Sequence, residues 1–259
     1  MNPAADDPTG AFEGKVVLVT GGGSGIGLAT AHAFARQGAS VVVAGRNRES
    51  LLLAVASIRG EGGEATAVVC DVRSAEQVDR LVEETVSVYG GLDIAFNNAG
   101  VSLVGSLSEF STAQWEEVIS TNLTGTFLLM RREVDHMRRN GGGVIVNSAS
   151  NAAHMTLPLL AAYSASKAAV LSLTRAAGRE FIAENVRINA ISPGPVDTPM
   201  WATRPGESQA DRRKRMAAES PSGRIGTAEE IADMVLWLAS PQAAYVAGHD
   251  LVVDGAMSS

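Results

Sequence analysis

The amino-acid sequence predicts a doubly wound parallel α/β sheet, and three features carry that expectation. Short β-branched runs alternate with longer amphipathic segments from Lys15 onward. The runs are apolar along most of their length, as strands covered on both faces must be. The first run ends in a glycine-rich turn that leads directly into a helical pattern. Such alternation implies right-handed crossovers and a parallel sheet with helices on both faces, in three α/β/α layers.

Taken in order, the strands are KVVLVT (15–20), SVVVAG (40–45), ATAVVC (65–70), LDIAFN (92–97), GVIVNS (143–148), VRINAIS (186–192) and DLVVDG (250–255). Helical periodicity covers 26–37, 75–89 and 228–238, with longer helices around 116–139 and 161–184. No internal repeat and no Pro/Ser-rich linker interrupts the pattern, so residues 14–259 read as one domain behind a flexible tail over 1–13. The longest irregular stretch, 193–226, has the length of a substrate-binding loop or lid.

Composition narrows the function classes. Of the 259 residues, 46% are hydrophobic and 19% charged, enough for a sizeable core. A formal charge of −7 argues against non-specific nucleic-acid binding, and the basic run at 212–215 reads as a solvated helix face. The single cysteine, Cys70, forbids an intrachain disulfide and reads as a small buried strand residue. The start of the chain lacks the basic and apolar regions of a signal peptide, and no apolar run has membrane-spanning length. The expectation is a soluble cytoplasmic protein.

The first strand opens into TGGGSGIG, residues 20–27. Gly21, Gly25 and Gly27 follow a G-x-x-x-G-x-G spacing, with Gly23, Ser24 and Ile26 between them. Glycines let backbone N–H groups approach an anion, and the helix N-terminus behind them adds partial positive charge. A dinucleotide pyrophosphate fits such a turn without a cationic side chain. At the tip of the second strand stands Gly45 followed by Arg46, with no Asp or Glu. A carboxylate there would hold the ribose 2′-hydroxyl of NAD, whereas arginine suits the 2′-phosphate of NADP. NADP is therefore the expected cofactor, with NAD as the alternative.

Four further signals converge: NNAG (97–100), TNLTG (121–125), VNSAS (146–150) and YSASK (163–167). With TGGGSGIG, and with SPGPVDT (192–198) and YVAGHDLVVDG (245–255) as later landmarks, the chain resembles the short-chain dehydrogenase/reductase family over residues 14–255. The fold this resemblance implies is a Rossmann-type sheet, in agreement with the alternation. A tyrosine with an ordinary pKa near 10 is a poor base at neutral pH. At four-residue spacing Tyr163 and Lys167 share one helix face, and an ammonium there, with the positive charge of a bound oxidised nicotinamide added, is expected to favour the phenolate.

The resemblance implies a role for each residue. Tyr163 is the general acid in carbonyl reduction and the general base in alcohol oxidation, and Ser150 holds the substrate oxygen. Lys167 also binds the nicotinamide ribose, and Asn122 supports a proton relay through ordered water. Asn98, Ala99 and Gly100 line the adenosine ribose and phosphates, and Asp71 and Val72 border the adenine. Pro193, Gly194, Val196 and Thr198 meet the nicotinamide carboxamide side. Ser148, the competing hydroxyl in VNSAS, is expected to be structural, and Asp93 a turn residue. The four histidines form no metal cluster in the sequence, so no metal is expected; His154 is a candidate for the pocket wall.

Pocket walls are expected from 102–106, from 154–160, from Pro195 and from Met200 onward, with Val101, Leu103, Met155, Leu157, Leu159, Leu160 and Trp201 making them apolar. The expected activity is NAD(P)-linked interconversion of an apolar or alicyclic carbonyl and its alcohol, by a homotetramer as in the family. One alternative is a 3-oxoacyl-[acyl-carrier-protein] reductase, with Arg131, Arg132, Arg138 and Arg139 as a docking surface. Another, of a different class, is a regulator that binds a dinucleotide without turning it over.

Overall fold

A computed structural model describes residues 10–155, 157–199 and 208–259. Met200 and Trp201, named above for the pocket wall, lie outside the described residues. The strands are β1 (Val16–Thr20), β2 (Ser40–Gly45), β3 (Glu64–Val69), β4 (Ile94–Asn97), β5 (Gly143–Ser148), β6 (Val186–Pro193) and β7 (Asp250–Val253). They pair in parallel in the order β3-β2-β1-β4-β5-β6-β7. The chain therefore reverses its direction of growth between β1 and β4, and the crevice at that switch point is where open α/β sheets bind ligands.

Strand residues alternate between two apolar cores. Val17, Val19, Val41, Val43, Ile94 and Phe96 face one, with residues of α1 (Gly25–Arg36), α2 (Arg48–Gly60) and α8 (Ala228–Ala239). Leu18, Val42, Ala44, Ala95, Ile145 and Ile188 face the other, with residues of α3 (Ala75–Tyr89), α5 (Gly125–Met137) and α6 (Ala161–Phe181). Burial on both faces is why the strands read as continuous apolar runs.

Local chemistry starts and stops the helices. Asn47 and Ser74 cap α2 and α3 through their side chains, and Gly90 ends α3 in the left-handed region at φ 84°. Capping boxes open α4 (Thr112–Ile119) with Ser111 and Gln114, and α8 with Thr227 and Glu230. The expected single helix over 116–139 is instead α4, a π-turn over Ser120–Thr124, and α5. The π-turn surrounds Asn122, whose amide is drawn out of the helix by backbone partners at Val101.

Two expectations change here. The tail drawn through residue 13 is packed where the structure describes it: Phe12 is buried edge-to-face on Phe34, 4.9 Å between centroids, and its N–H bonds the Gln37 carbonyl. The basic run at 212–215 lies on α7 (Gln209–Glu219), but Arg212 is buried there and does not face solvent. It reaches Asp197 at 3.3 Å, and Arg213 meets the same carboxylate at 2.6 Å, so α7 is tied to the segment after β6. Among the described residues, no helix is long and apolar enough to cross a membrane.

Candidate active site

The C-terminal ends of β1, β4, β5 and β6 open onto one cleft. It is lined by Gly21, Ser24, Gly25, Ile26, Asn98, Ala99, Gly100, Ser148, Ser150, Tyr163, Lys167, Pro193, Gly194, Val196 and Thr198, all expected there except Ser148. An adjoining cavity is lined by Gly45, Arg46, Cys70, Asp71, Val72 and Val101. Most of the sequence-predicted residues thus fall into two neighbouring hollows at the switch point, but the predicted catalytic Asn122 lines neither. Gly23 and Gly27 line neither, and each explains the turn differently. A Cβ on Gly27 would come within 2.3 Å of the Gly21 carbonyl, and one on Gly23 within 2.6 Å of Ser50 Oγ. Gly21 itself stands at φ +67°, so this turn is open only to glycine at its tightest points.

The cradle suits an anion. Ser24 precedes α1 in extended conformation and makes no side-chain capping bond, and the first turn of α1 contains no acidic residue. Backbone N–H groups and the helix dipole therefore face the cleft without a competing negative charge. The wall opposite is fixed by Thr20, which sequence reasoning did not single out. Its hydroxyl accepts the N–H groups of Asn98 (3.1 Å) and Ala99 (3.2 Å), and Asn98 Nδ2 returns a bond to the Thr20 carbonyl.

Tyr163 and Lys167 are both buried on the first two turns of α6. The ammonium sits 5.7 Å from the phenol ring centroid and donates to the Ser148 carbonyl at 2.6 Å. Ser148 is thus structural, but through its backbone. Gly100 completes the arrangement: a Cβ there would lie 3.3 Å from Asn122 Oδ1 and 3.5 Å from Lys167 Nζ. Asn122 accepts the Val101 N–H and donates to the Val101 carbonyl and to Ser166 Oγ, bracketing the β4 exit against α6. Ser150 caps the short turn Asn151–Ala153 by accepting the Ala152 N–H.

The electrostatics differ from the sequence expectation. Burial pushes the Tyr163 phenol above its usual range, and the Ser150 hydroxyl opposes that shift by hydrogen bonding. Burial also pushes the Lys167 ammonium down to about 8. Taking both groups out of water penalises their charged forms more than one turn of separation rewards them. At neutral pH the pair is therefore a protonated phenol beside an ammonium.

Other expectations move too. Asp71 is held ionised by Arg73, which grips it bidentately at 2.5–3.0 Å, with the Arg46 charge a smaller influence. Val101 lines the hollow beside Arg46 and Asp71, and Pro195 a separate one with Ser220 and Arg224. His154 turns to Asp250, 2.6 Å away, whose carboxylate also accepts Ser192 Oγ. Leu157 and Leu160 do pack beside Tyr163 with Ala152. Asp93 bridges the starts of β1 and β4, accepting Val16 N–H at 2.8 Å and Lys15 Nζ at 3.1 Å. Among the described residues, no group of three His, Cys, Asp or Glu side chains is placed to hold a metal.

Comparison with known proteins agrees with this geometry. A family model described as enoyl-(acyl carrier protein) reductase matches residues 21–258. Cyclohexanol dehydrogenase of Acinetobacter sp. (strain SE19) is 40% identical over 96% of each chain. The 3-oxoacyl-[acyl-carrier-protein] reductase of Thermotoga maritima is 36% identical over 95% of this chain and 98% of its own. The crystal structure of a point variant of actinorhodin polyketide ketoreductase with NADPH superposes with a TM-score of 0.89, at 36% identity over 94% of this chain and 97% of that one. A dinucleotide cradle, a buried tyrosine–lysine pair and full-length relatives of one kind lead to one conclusion: the chain belongs to the short-chain dehydrogenase/reductase family.

Proposed function

We propose that this protein is an NAD(P)-dependent oxidoreductase that interconverts an apolar or alicyclic carbonyl compound and its secondary alcohol, with NADP as the preferred cofactor. The observation that carries this reading is the burial of Tyr163, Lys167 and Ser150 together in the wall of the glycine-cradled cleft. When bound, the nicotinamide supplies or accepts the hydride. The glycine turn, Ser24 and the N-terminus of α1 would hold its pyrophosphate, Lys167 its ribose, and Val196 and Thr198 its carboxamide side. Ser150 orients the substrate oxygen. In the reductive direction Tyr163 Oη gives its proton to that oxygen, and in the oxidative direction the phenolate takes a proton from the alcohol. Asn122 holds the β4 exit and α6 together beside the ammonium, where a water relay would return the proton.

The phenol's upward shift keeps it protonated near neutral pH, the form that can give a proton to the substrate oxygen. Leu157 and Leu160 beside Tyr163, and the relative that acts on cyclohexanol by name, support an apolar alicyclic substrate. The carrier-tethered alternative loses its docking surface in part. Arg132 is drawn to Asp79, Glu83 and Asp135, while Arg138 and Arg139 both meet Asp135, so this flank is charge-balanced. The same flank supports a homotetramer: Phe127 is half-exposed beside a hollow of about 690 Å³ that Leu173 and Phe181 also line. Sedimentation equilibrium should return four chain masses, and a clean monomer would sink the assembly.

Tyr163→Phe should lower turnover of a cyclic ketone by roughly 10²–10⁴-fold, the usual worth of general acid catalysis, followed at the nicotinamide absorbance. A dinucleotide-binding regulator would show no turnover in the wild type and no change in the variant. Arg46→Ala should raise KM for NADP well above wild type and leave KM for NAD nearly unchanged; an unchanged NADP value contradicts the preference.

Lys167→Met should abolish turnover yet stabilise the fold. The folded pKa of about 8 lies below the ordinary 10.5, so burying this ammonium destabilises the protein fully below pH 8. Wild-type stability then rises as pH climbs from about 8 toward 10.5. The variant's advantage should be of order 1–3 kcal/mol at pH 7, allowing for the lost Ser148 bond, and should shrink across that window. Urea melts at pH 7 and pH 10 measure it.

A further inference from the structure

A buried polar chain runs beneath the cleft, and the proposed chemistry does not use it; its two asparagines stand in NNAG and VNSAS, where they carry no assigned role. Glu133 on α5 is fully buried, as are Asn97, Asn147 and Thr174. Asn97 Nδ2 donates to Glu133 Oε2 at 2.9 Å and to Asn147 Oδ1 at 3.1 Å. Asn147 Nδ2 continues to Thr174 Oγ1 at 3.0 Å and to Met130 Sδ at 3.1 Å. Asn97 and Asn147 are register partners on β4 and β5. Asn97 directly precedes the Asn98–Ala99–Gly100 turn, and Asn147 directly precedes Ser148, whose carbonyl holds Lys167. Thr174 lies seven residues beyond Lys167, two turns along the same face of α6.

Polar groups placed this deep are destabilising unless their hydrogen bonds are complete. Among the described residues, Asn97 Oδ1 and Glu133 Oε1 have no partner. Both are acceptors, so the cluster lacks one donor. A carboxylic acid proton on Glu133 would supply such a donor, whereas a carboxylate could only accept and would leave a buried charge. Burial pushes the Glu133 carboxyl up to about 8, with only the Asn97 hydrogen bond opposing, and no charged side chain contributes. Its hydrogen-bond partner is Asn97; Asn147, Met130 and Thr174 continue the chain beyond that amide, and none of the four is titratable. Lys167, further along α6, is the buried group that also titrates near pH 8.

We infer that Glu133 is a positioning residue for the dinucleotide cleft: as a neutral acid it holds Asn97, whose amide also reaches Asn147, and so steadies the ends of β4 and β5 under the cofactor, whereas losing its proton leaves an uncompensated buried charge there that loosens the bracket. This rests on reading the cleft as a nicotinamide dinucleotide site. The group never touches cofactor or substrate; it acts through the spacing of the two strand ends. Glutamine reproduces the neutral acid's donor and acceptor, whereas alanine removes both.

The test titrates NADPH fluorescence on wild type, Glu133→Gln and Glu133→Ala from pH 6 to 10, and records thermal melts without nucleotide from pH 5 to 10. NADPH affinity of the wild type should weaken roughly five- to tenfold more between pH 7 and 9.5 than that of Glu133→Gln, the factor a lost buried hydrogen bond carries. Because both proteins keep Lys167, their difference isolates Glu133. Glu133→Ala should bind NADPH more weakly at every pH while remaining folded.

The melts give an arm independent of the nucleotide. A raised folded pKa means wild-type stability is lost as pH rises from the ordinary 4.5 through about 8, so Glu133→Gln should melt higher at pH 8 than wild type, with the gap closing toward pH 5. If Glu133→Gln keeps the wild-type pH dependence of binding, or Glu133→Ala loses only melting temperature, the inference is overturned. If Glu133→Ala does not fold, the Glu133→Gln profile decides alone. A wild type that binds no NADPH overturns the reading of the cleft, and the melts then separately uphold or overturn the neutral acid.

Discussion

The structure turns on one contact, the Lys167 ammonium donating to the carbonyl of Ser148 at 2.6 Å inside the protein. An ammonium cannot be buried without acceptors, and this carbonyl is available because β4 has ended beside it: Ser148 closes β5 still paired with Ile191 of β6, while the pairing with β4 stops at Asn97 and Asn147. The end of β5 therefore has to meet α6 one turn past Tyr163. That requirement fixes where α6 begins, how close it comes to the sheet, and which of its faces looks into the cleft. The depressed ionisation of the lysine measures how unfavourable the placement is. Stability alone would replace it with an apolar side chain, so its retention points to chemistry.

Around that contact the sheet acts as a ruler. Parallel pairing brings Thr20, Asn97, Ser148 and Ser192 to one edge, and each hands its neighbour a polar group. Thr20 holds the turn after β4, the β5 end holds α6, and Ser192 meets the aspartate that also engages His154. The apolar cores on the two faces set the height of this edge; the polar groups set its detail. The glycines follow from the same crowding. Gly27 approaches the Gly21 carbonyl and Gly100 approaches both Asn122 and Lys167, so side chains there would displace either the cradle or the ammonium.

Much of this was legible in the sequence because it depends on period and local sterics. Strands covered on both faces are apolar throughout, and a turn that needs φ above zero shows its glycines. A tyrosine and lysine four apart must share a helix face. What escaped reading depends on partners distant in the chain. Arg212 looks like one of a run of solvated cations, but it is buried and reaches Asp197, fifteen residues away. Val101 reads as a wall of the substrate pocket, but Asn122 seizes its backbone and it lines the hollow beside Arg46 and Asp71. His154 follows Ser150 closely yet faces Asp250, ninety-six residues on. The π-turn was foreshadowed only by an asparagine in a helical stretch. Phe12 lies in a polar, proline-bearing start whose composition hides the one ring that anchors it.

The phenol's behaviour is the sharpest case of a local rule failing for a physical reason. Spacing says that lysine should lower the tyrosine, and in water it would by a little. In the folded protein both groups lose solvent, and desolvation acts on each separately: it raises the acid and lowers the base, so that each favours its neutral form. The ammonium also directs its strongest interaction to the Ser148 carbonyl, not to the phenol. Activation of the tyrosine as a base thus requires more positive charge than the chain itself supplies. A bound oxidised nicotinamide is cationic and a reduced one is neutral, so the same side chains would favour phenolate with one and phenol with the other. On the proposed reading, the redox state of the cofactor itself then selects whether Tyr163 acts as base or acid, and the protein need only keep the pair dry.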